Sequence, residues 1–143
     1  MERYEKLKLE NQLCFSLYAA SRELIKLYKP LLDKYNLTYT QYIVMLVLWE
    51  GKKMNVKHIG ERLHLDSGTL TPLLKKLQGL DLIKKYRDSQ DDRVVIIELT
   101  EKGLALKKEI VEVPEQLYCN FSEDAEKLLI LKKSLDDFLA ILS

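Results

Sequence analysis

This 143-residue chain has only two cysteines, two histidines and a net charge of +1, and each scarcity removes a class of function. No apolar stretch reaches the roughly 18 residues that a membrane span needs, and no basic start is followed by the short apolar run of a secretory signal. We therefore expect a cytoplasmic protein with no membrane contact. In that compartment the two cysteines are not expected to form a structural disulfide, and their separation fits no zinc-ligand spacing. His58 and His64 have no suggested carboxylate or cysteine partner, so no metal is expected. A sequence pI near 7.7 argues against an indiscriminate nucleic-acid binder, whose domains usually exceed a pI of about 9. There is no Ser-His-Asp order, no phosphate-cradling loop and no dinucleotide fingerprint, and no cofactor is expected. Repeats and low-complexity segments are also absent.

What is present is an ordinary globular balance of 47% hydrophobic and 31% charged residues, enough for one domain with a real core. The most informative stretch runs from Val56 to Leu99. Val56, Ile59 and Leu63 fall on one helical face, and the turn His64-Leu65-Asp66 offers Asp66 as an N-cap. Leu70, Leu73, Leu74 and Leu77 then repeat at the i, i+3, i+4, i+7 spacing of an amphipathic helix. Two β-prone runs follow, Leu82 to Tyr86 and Val94 to Leu99, joined by a polar turn with Arg87 and Arg93 at its ends. Helix, tight turn, helix and charged hairpin make a winged helix-turn-helix, a unit that can set one helix in a DNA major groove. Lys75, Lys76, Lys84, Lys85, Arg87 and Arg93 crowd this unit although the whole chain is nearly neutral. A charge run is usually a solvated face, and its coincidence with this motif is what favours DNA.

The rest of the chain reads as helices. One helical pattern covers about Tyr4 to Tyr35, with Pro30 expected to kink or break it near Tyr28-Lys29. Leu37 to Thr40 resembles a cap before an apolar helix from Gln41 to Trp49, ended by Gly51. Thr100 to Gly103 opens a helix to about Pro114, and a last helix begins near Asn120 to Ser122 and runs to Leu142. The expected fold is mainly α with a small β-hairpin wing. The expected organisation is a single domain, 1–143, with the DNA-binding unit at about 37–99 and dimerisation helices at about 4–35 and 100–143. Those terminal helices carry Leu7, Leu9, Leu13, Phe15, Leu17 and Tyr18, and Leu128 to Leu131, Leu135, Phe138, Leu139 and Leu142. That is more apolar surface than a small winged domain needs, and it predicts a symmetric homodimer.

Three blocks carry a resemblance. They are Gln12-Leu13-Cys14-Phe15-Ser16-Leu17-Tyr18-Ala19-Ala20-Ser21-Arg22, Leu37-Thr38-Tyr39-Thr40-Gln41-Tyr42, and Leu65-Asp66-Ser67-Gly68-Thr69-Leu70-Thr71-Pro72-Leu73-Leu74-Lys75. With the wing ending Asp91-Asp92-Arg93, the chain from about Glu10 to Leu142 resembles the MarR family of bacterial regulators. Within it, the chain is most similar to the organic-hydroperoxide-resistance branch. The resemblance implies a homodimeric repressor of double-stranded operator DNA whose reactive cysteine, Cys14, is oxidised by organic hydroperoxides. It further implies that Tyr28 and Tyr39 hydrogen-bond that thiol. Ser67, Thr69, Thr71 and Lys75 would lie in the major groove and Arg93 in the minor groove. Cys119 falls where one group of the branch carries a resolving cysteine, which forms an intersubunit disulfide; another group has a single cysteine and forms mixed disulfides. One departure is Asp81, which stands where the family usually has a glycine before the hairpin.

The residues themselves qualify this reading. An unremarkable cysteine is a small buried hydrophobe, whereas a reactive one needs its thiolate stabilised. Glu10, Asn11, Leu17 and Tyr18, one turn from Cys14, supply no positive charge. Tyr28 lies fourteen residues further along one helical pattern, about 21 Å at 1.5 Å per residue. Only a partner chain's Tyr28 can reach Cys14 unless the helix folds back, so a shared site is expected. For Tyr28 and Tyr39 the bland alternative is core packing with surface hydroxyls. Two other functions stay open at this point: a MarR-like regulator answering to a small aromatic ligand, with Cys14 structural, and a thiol peroxidase.

Overall fold

A computed structural model describes residues 2–143, so the first residue of the 1–143 span lies outside the described residues. Short 3-10 turns at Arg3–Leu7 and Leu9–Asn11 precede α1 (Leu13–Leu32), and another at Asp33–Tyr35 leads to α2 (Tyr39–Gly51). Then come β1 (Lys53–Asn55), α3 (Val56–Leu63), α4 (Ser67–Gly79), β2 (Ile83–Arg87), β3 (Val95–Leu99) and α5 (Glu101–Ile110). The chain falls into two compact units, one ending at Ile110 and the other spanning Val111–Ser143. The second holds α6 (Glu112–Cys119), a 3-10 turn at Ser122–Asp124 and α7 (Ala125–Leu142).

The helix-turn-helix forms where the pattern places it. Asn55 caps α3 through His58 N–H, and His64 closes that helix in the left-handed region at φ 56°. Asp66 accepts the Thr69 N–H at 2.7 Å and opens α4. Ile59, Leu70, Leu74 and Leu77 point inward and are buried, together with Val44, Met45 and Leu48 of α2. Burying such side chains stabilises each by about 1.5–3 kcal/mol, and this shared apolar face holds α4 on its scaffold. The Arg62 guanidinium also reaches Glu50 at 2.9 Å, tying α3 to α2.

The wing is larger than a hairpin. β1 pairs antiparallel with β3 (Lys53 with Glu98, Asn55 with Ile96), giving a three-stranded sheet in the order β1-β3-β2. Three residues, Lys-Met-Asn, are too short for a strand period to show in the sequence. Asp81 takes φ 60° at the expected glycine position, which an aspartate tolerates better than most residues.

Several boundaries differ from expectation. α1 begins at Leu13 instead of Tyr4, because Lys8 and Gln12 are extended and the segment before them is wound into 3-10 turns. Side-chain amides stabilise those turns: Gln12 donates to the Lys6 and Lys8 carbonyls and Asn11 to the Glu5 carbonyl. Pro30 does not break α1, which runs on to Leu32. Standing three residues from the end, it disturbs only the last turn. α2 starts earlier, at Tyr39, with a complete Thr38–Gln41 capping box, and its closing left-handed residue is Lys52 (φ 72°) instead of Gly51. The helix expected to run from Thr100 to Pro114 stops at Ile110; Pro114 lies in the first turn of α6, where a missing N–H costs nothing.

A candidate DNA-binding face and thiol site

Because α4 buries Leu70, Leu74 and Leu77, its opposite face is turned to solvent, and Ser67, Thr69, Thr71 and Lys75 are all exposed there. The Asp66 cap fixes the first turn. The Thr69 hydrogen bonds hold the Asp66 carboxyl below its ordinary value, so the cap stays ionised at neutral pH. The Thr71 hydroxyl donates to the Ser67 carbonyl at 2.7 Å. Ser67, Thr69 and Thr71 therefore stand on the ordered first turns of α4, and Lys75 follows one turn after Thr71.

Arg93 lies at the wing tip, its side chain 91% exposed. It does not wave freely. Asp91 accepts its Nε at 3.1 Å and a terminal guanidinium nitrogen at 3.2 Å, and the Arg93 backbone N–H bonds the same carboxylate. Arg93 in turn holds the Asp91 carboxyl below its ordinary value. Across the strands below, the Tyr86 hydroxyl donates to Glu98 at 2.6 Å and Lys84 lies 3.6 Å from the same carboxylate. That bond raises the Tyr86 phenol and lowers Glu98, as expected when a donor and an ionised acceptor favour one state together.

Cys14 is the second residue of α1 and is exposed. The first-turn N–H groups of a helix lack intrahelical acceptors and form the positive end of its dipole, a setting that favours an anion. A helix drawn from Tyr4 instead sets Cys14 in mid-helix. Since α1 runs unbroken from Leu13 to Leu32, Tyr28 lies about 21 Å from Cys14 along its axis, at 1.5 Å per residue. The structure does bring Tyr28 to Tyr39: their ring centroids are 4.8 Å apart, inclined at 58°. Cys119, expected in a connection, is the last residue of α6 and is also exposed. Among the described residues no cluster of three metal-ligating side chains occurs.

Sequence reasoning passed over Tyr42, whose ring packs against both Tyr28 and Tyr39. A signal was available: Tyr39 and Tyr42 are spaced i, i+3, hence neighbours on a helix. A helix read as starting at Gln41 leaves Tyr39 outside it and hides that spacing.

Comparison with known proteins decides the family. Residues 26–110 match the family described as "Transcriptional regulator SarA/Rot". The chain is 49% identical to the organic hydroperoxide resistance transcriptional regulator of Bacillus subtilis, over 98% of this chain and 95% of that protein. This chain is a MarR-family transcriptional regulator of the organic-hydroperoxide-resistance branch. Among solved structures, the overoxidised regulator AbfR bound to DNA superposes with a TM-score of 0.79 at 33% identity, covering 99% of this chain and 100% of that one. The disulfide-formed AbfR matches with a TM-score of 0.68 at 37% identity, covering 89% of this chain and 93% of that one. These relatives are regulators and not enzymes, so the thiol peroxidase reading falls away. The winged helix-turn-helix and the mainly helical fold stand as expected.

Proposed function

We propose that this regulator is a homodimeric, redox-responsive repressor that holds double-stranded operator DNA while Cys14 is reduced and releases it when an organic hydroperoxide oxidises that thiol. The observation that carries the reading is an exposed cysteine in the first turn of α1, in a chain whose α4 presents an ordered polar face. Exposed apolar side chains on a monomer usually stand singly; here Phe15 and Tyr18 on α1, and Leu131, Leu135 and Leu139 on α7, recur at helical spacing and suit a second copy of the chain.

In this reading Ser67, Thr69, Thr71 and Lys75 enter the major groove and Arg93 the minor groove, two half-sites being read by two chains. The Cys14 thiolate attacks the terminal peroxide oxygen; the O–O bond breaks, the hydroperoxide leaves as its alcohol after taking a proton, and Cys14 becomes a sulfenic acid. The Cys119 thiol of the other chain then displaces water to give an intersubunit disulfide. Tyr28 and Tyr39 of the partner chain donate hydrogen bonds to the Cys14 thiolate, since a chain's own Tyr28 is two-thirds of a helix away. AbfR, which is similar along its whole length, is known both overoxidised on DNA and with a disulfide formed.

The test is the intact mass of denatured, non-reduced protein after one equivalent of cumene hydroperoxide, run beside binding to the chain's own promoter DNA. A covalent dimer linked through peptides containing Cys14 and Cys119, with loss of DNA binding, is expected; Cys14→Ser should stay on DNA at the same dose. An unmodified monomer still bound to DNA would overturn the proposal.

A further inference from the structure

The contact between Tyr28 and Tyr39 is closed by a third ring. Tyr42 stands 5.8 Å from Tyr28 at 44° and 6.3 Å from Tyr39 at 54°. All three pairs are tilted and lie within the 4.5–7 Å range that aromatic pairs favour. Burial separates their roles. Tyr42 is only 3% exposed, whereas Tyr28 and Tyr39 are half-buried. Tyr42 is also anchored in the backbone, its N–H bonding the Thr38 carbonyl at 2.9 Å in the turn that the Thr38–Gln41 capping box locks.

A phenolic hydroxyl sits at the far end of its side chain, and the terminal torsion of tyrosine is broad. The phenolic oxygen lies on the axis of that torsion, so turning the ring leaves the oxygen in place but turns the O–H bond, which prefers the ring plane. A neighbour that fixes the plane therefore fixes the direction in which the hydroxyl donates. We infer that Tyr42 is a positioning residue for the thiol site: its buried ring sets the planes of Tyr28 and Tyr39 and so aims their hydroxyls at the reactive sulfur. The inference rests on the proposed pairing of Tyr28 and Tyr39 with Cys14. It adds that the pairing depends on a residue that never touches the thiol.

The test uses the full-length dimer in a Cys119→Ser background, where Cys14 is the sole thiol. Its readout is the pH profile of Cys14 alkylation by iodoacetamide. Tyr42→Phe keeps the ring and should stay within about twofold of the parent. Tyr42→Met keeps apolar bulk but removes the ring; it should slow alkylation at neutral pH about threefold to tenfold, as for a partly lost hydrogen bond to a charged group. Helix content and DNA binding of the reduced protein should not change. The Tyr28→Phe, Tyr39→Phe double variant separates the two layers. If it alkylates like the parent, the thiol pairing itself fails. If it is slowed while Tyr42→Met follows the parent, the pairing stands and the role of Tyr42 is overturned. Should Tyr42→Met not fold, the parent protein decides: magnetisation transfer from the Tyr42 ring protons to both the Tyr28 and Tyr39 rings is required, and its absence overturns the inference.

Discussion

The rings of Tyr28 and Tyr39 meet at 4.8 Å, which joins the C-terminal part of α1 to the first turn of α2 and leaves Cys14 at the opposite end of α1. Cys14 and Tyr28 thus lie toward opposite ends of one 20-residue helix, with Tyr39 of α2 packed beside Tyr28. An antiparallel crossing of two such helices brings each end to its counterpart, which makes a sharp prediction about mixed dimers. Take one chain carrying Cys14→Ser and a second carrying Tyr28→Phe. In the heterodimer the surviving Cys14 faces an intact partner Tyr28, so it should react with cumene hydroperoxide at the parental rate and with half the stoichiometry. The Tyr28→Phe homodimer should react more slowly. Stopped-flow measurement on heterodimers purified with two different tags checks this; a heterodimer as slow as the Tyr28→Phe homodimer would place the site within one chain.

The cap of α4 should give the DNA-binding face a pH limit. The Asp66 carboxyl is held below its ordinary value first by the backbone hydrogen bond from Thr69 and then by the Thr69 side chain. A group whose value is lowered by folding stabilises the native state above its unfolded value, near pH 4, and loses that contribution as pH falls through the folded value. The Thr69 amide should therefore exchange faster at pH 3 than at pH 5 once intrinsic rates are divided out. Asp66→Asn keeps an N-cap oxygen without the titrating charge and should flatten that dependence. Equal protection at both pH values in the parent would contradict the cap's role.

Much of this was legible in the sequence, for identifiable reasons. Asp66 and Thr38 announce their helices because a capping side chain must sit immediately before the apolar period. Leu70, Leu74 and Leu77 fix which face of α4 is buried, and so which residues are offered to solvent. β1 is hidden in the sequence because it is held by β3, more than forty residues on, and not by a pattern of its own. The start of α1 was missed for the opposite reason. Residues 4–12 have a helical composition, but Gln12 and Asn11 spend their amides on carbonyls of the preceding turns, and the helix proper starts after them. That one boundary moves Cys14 from mid-helix to the first turn of α1.

Gly103 is where the wing meets α5. A Cβ there would collide with the Leu82 carbonyl oxygen and press on Leu99 Cδ2 at 3.3 Å. The surroundings cannot easily yield. The Leu82 carbonyl accepts the Thr100 N–H, the Thr100 hydroxyl donates to the Asp81 carbonyl and accepts the Gly103 N–H, and Trp49 Nε1 bonds the Gly103 carbonyl at 2.9 Å. Gly103→Ala should destabilise the fold by about 2–3 kcal/mol, toward the upper end of overpacking costs. Gly79→Ala, with no neighbouring atom within 4 Å, should be neutral or slightly stabilising. Urea denaturation of the two variants decides the matter, and equal midpoints would show that the wing can move away from α5.

Binding to DNA should depend on two cations that the fold presents differently. Lys75 projects from the exposed face of α4, whereas Arg93 is chelated by Asp91 and must share its charge between that carboxylate and DNA. Counterion release makes log affinity fall with log salt by about 0.9 for each phosphate contact. Lys75→Ala should therefore weaken binding to promoter DNA and make the salt dependence shallower. Arg93→Ala should weaken binding with a smaller change in slope, because part of its charge is already compensated by Asp91. Lys132→Ala removes a cation that Asp136 holds at 2.6 Å on α7 and should change neither quantity. Fluorescence anisotropy over a potassium chloride series measures all three. If Lys75→Ala matches the parent in both affinity and slope, α4 is not the face that meets the DNA.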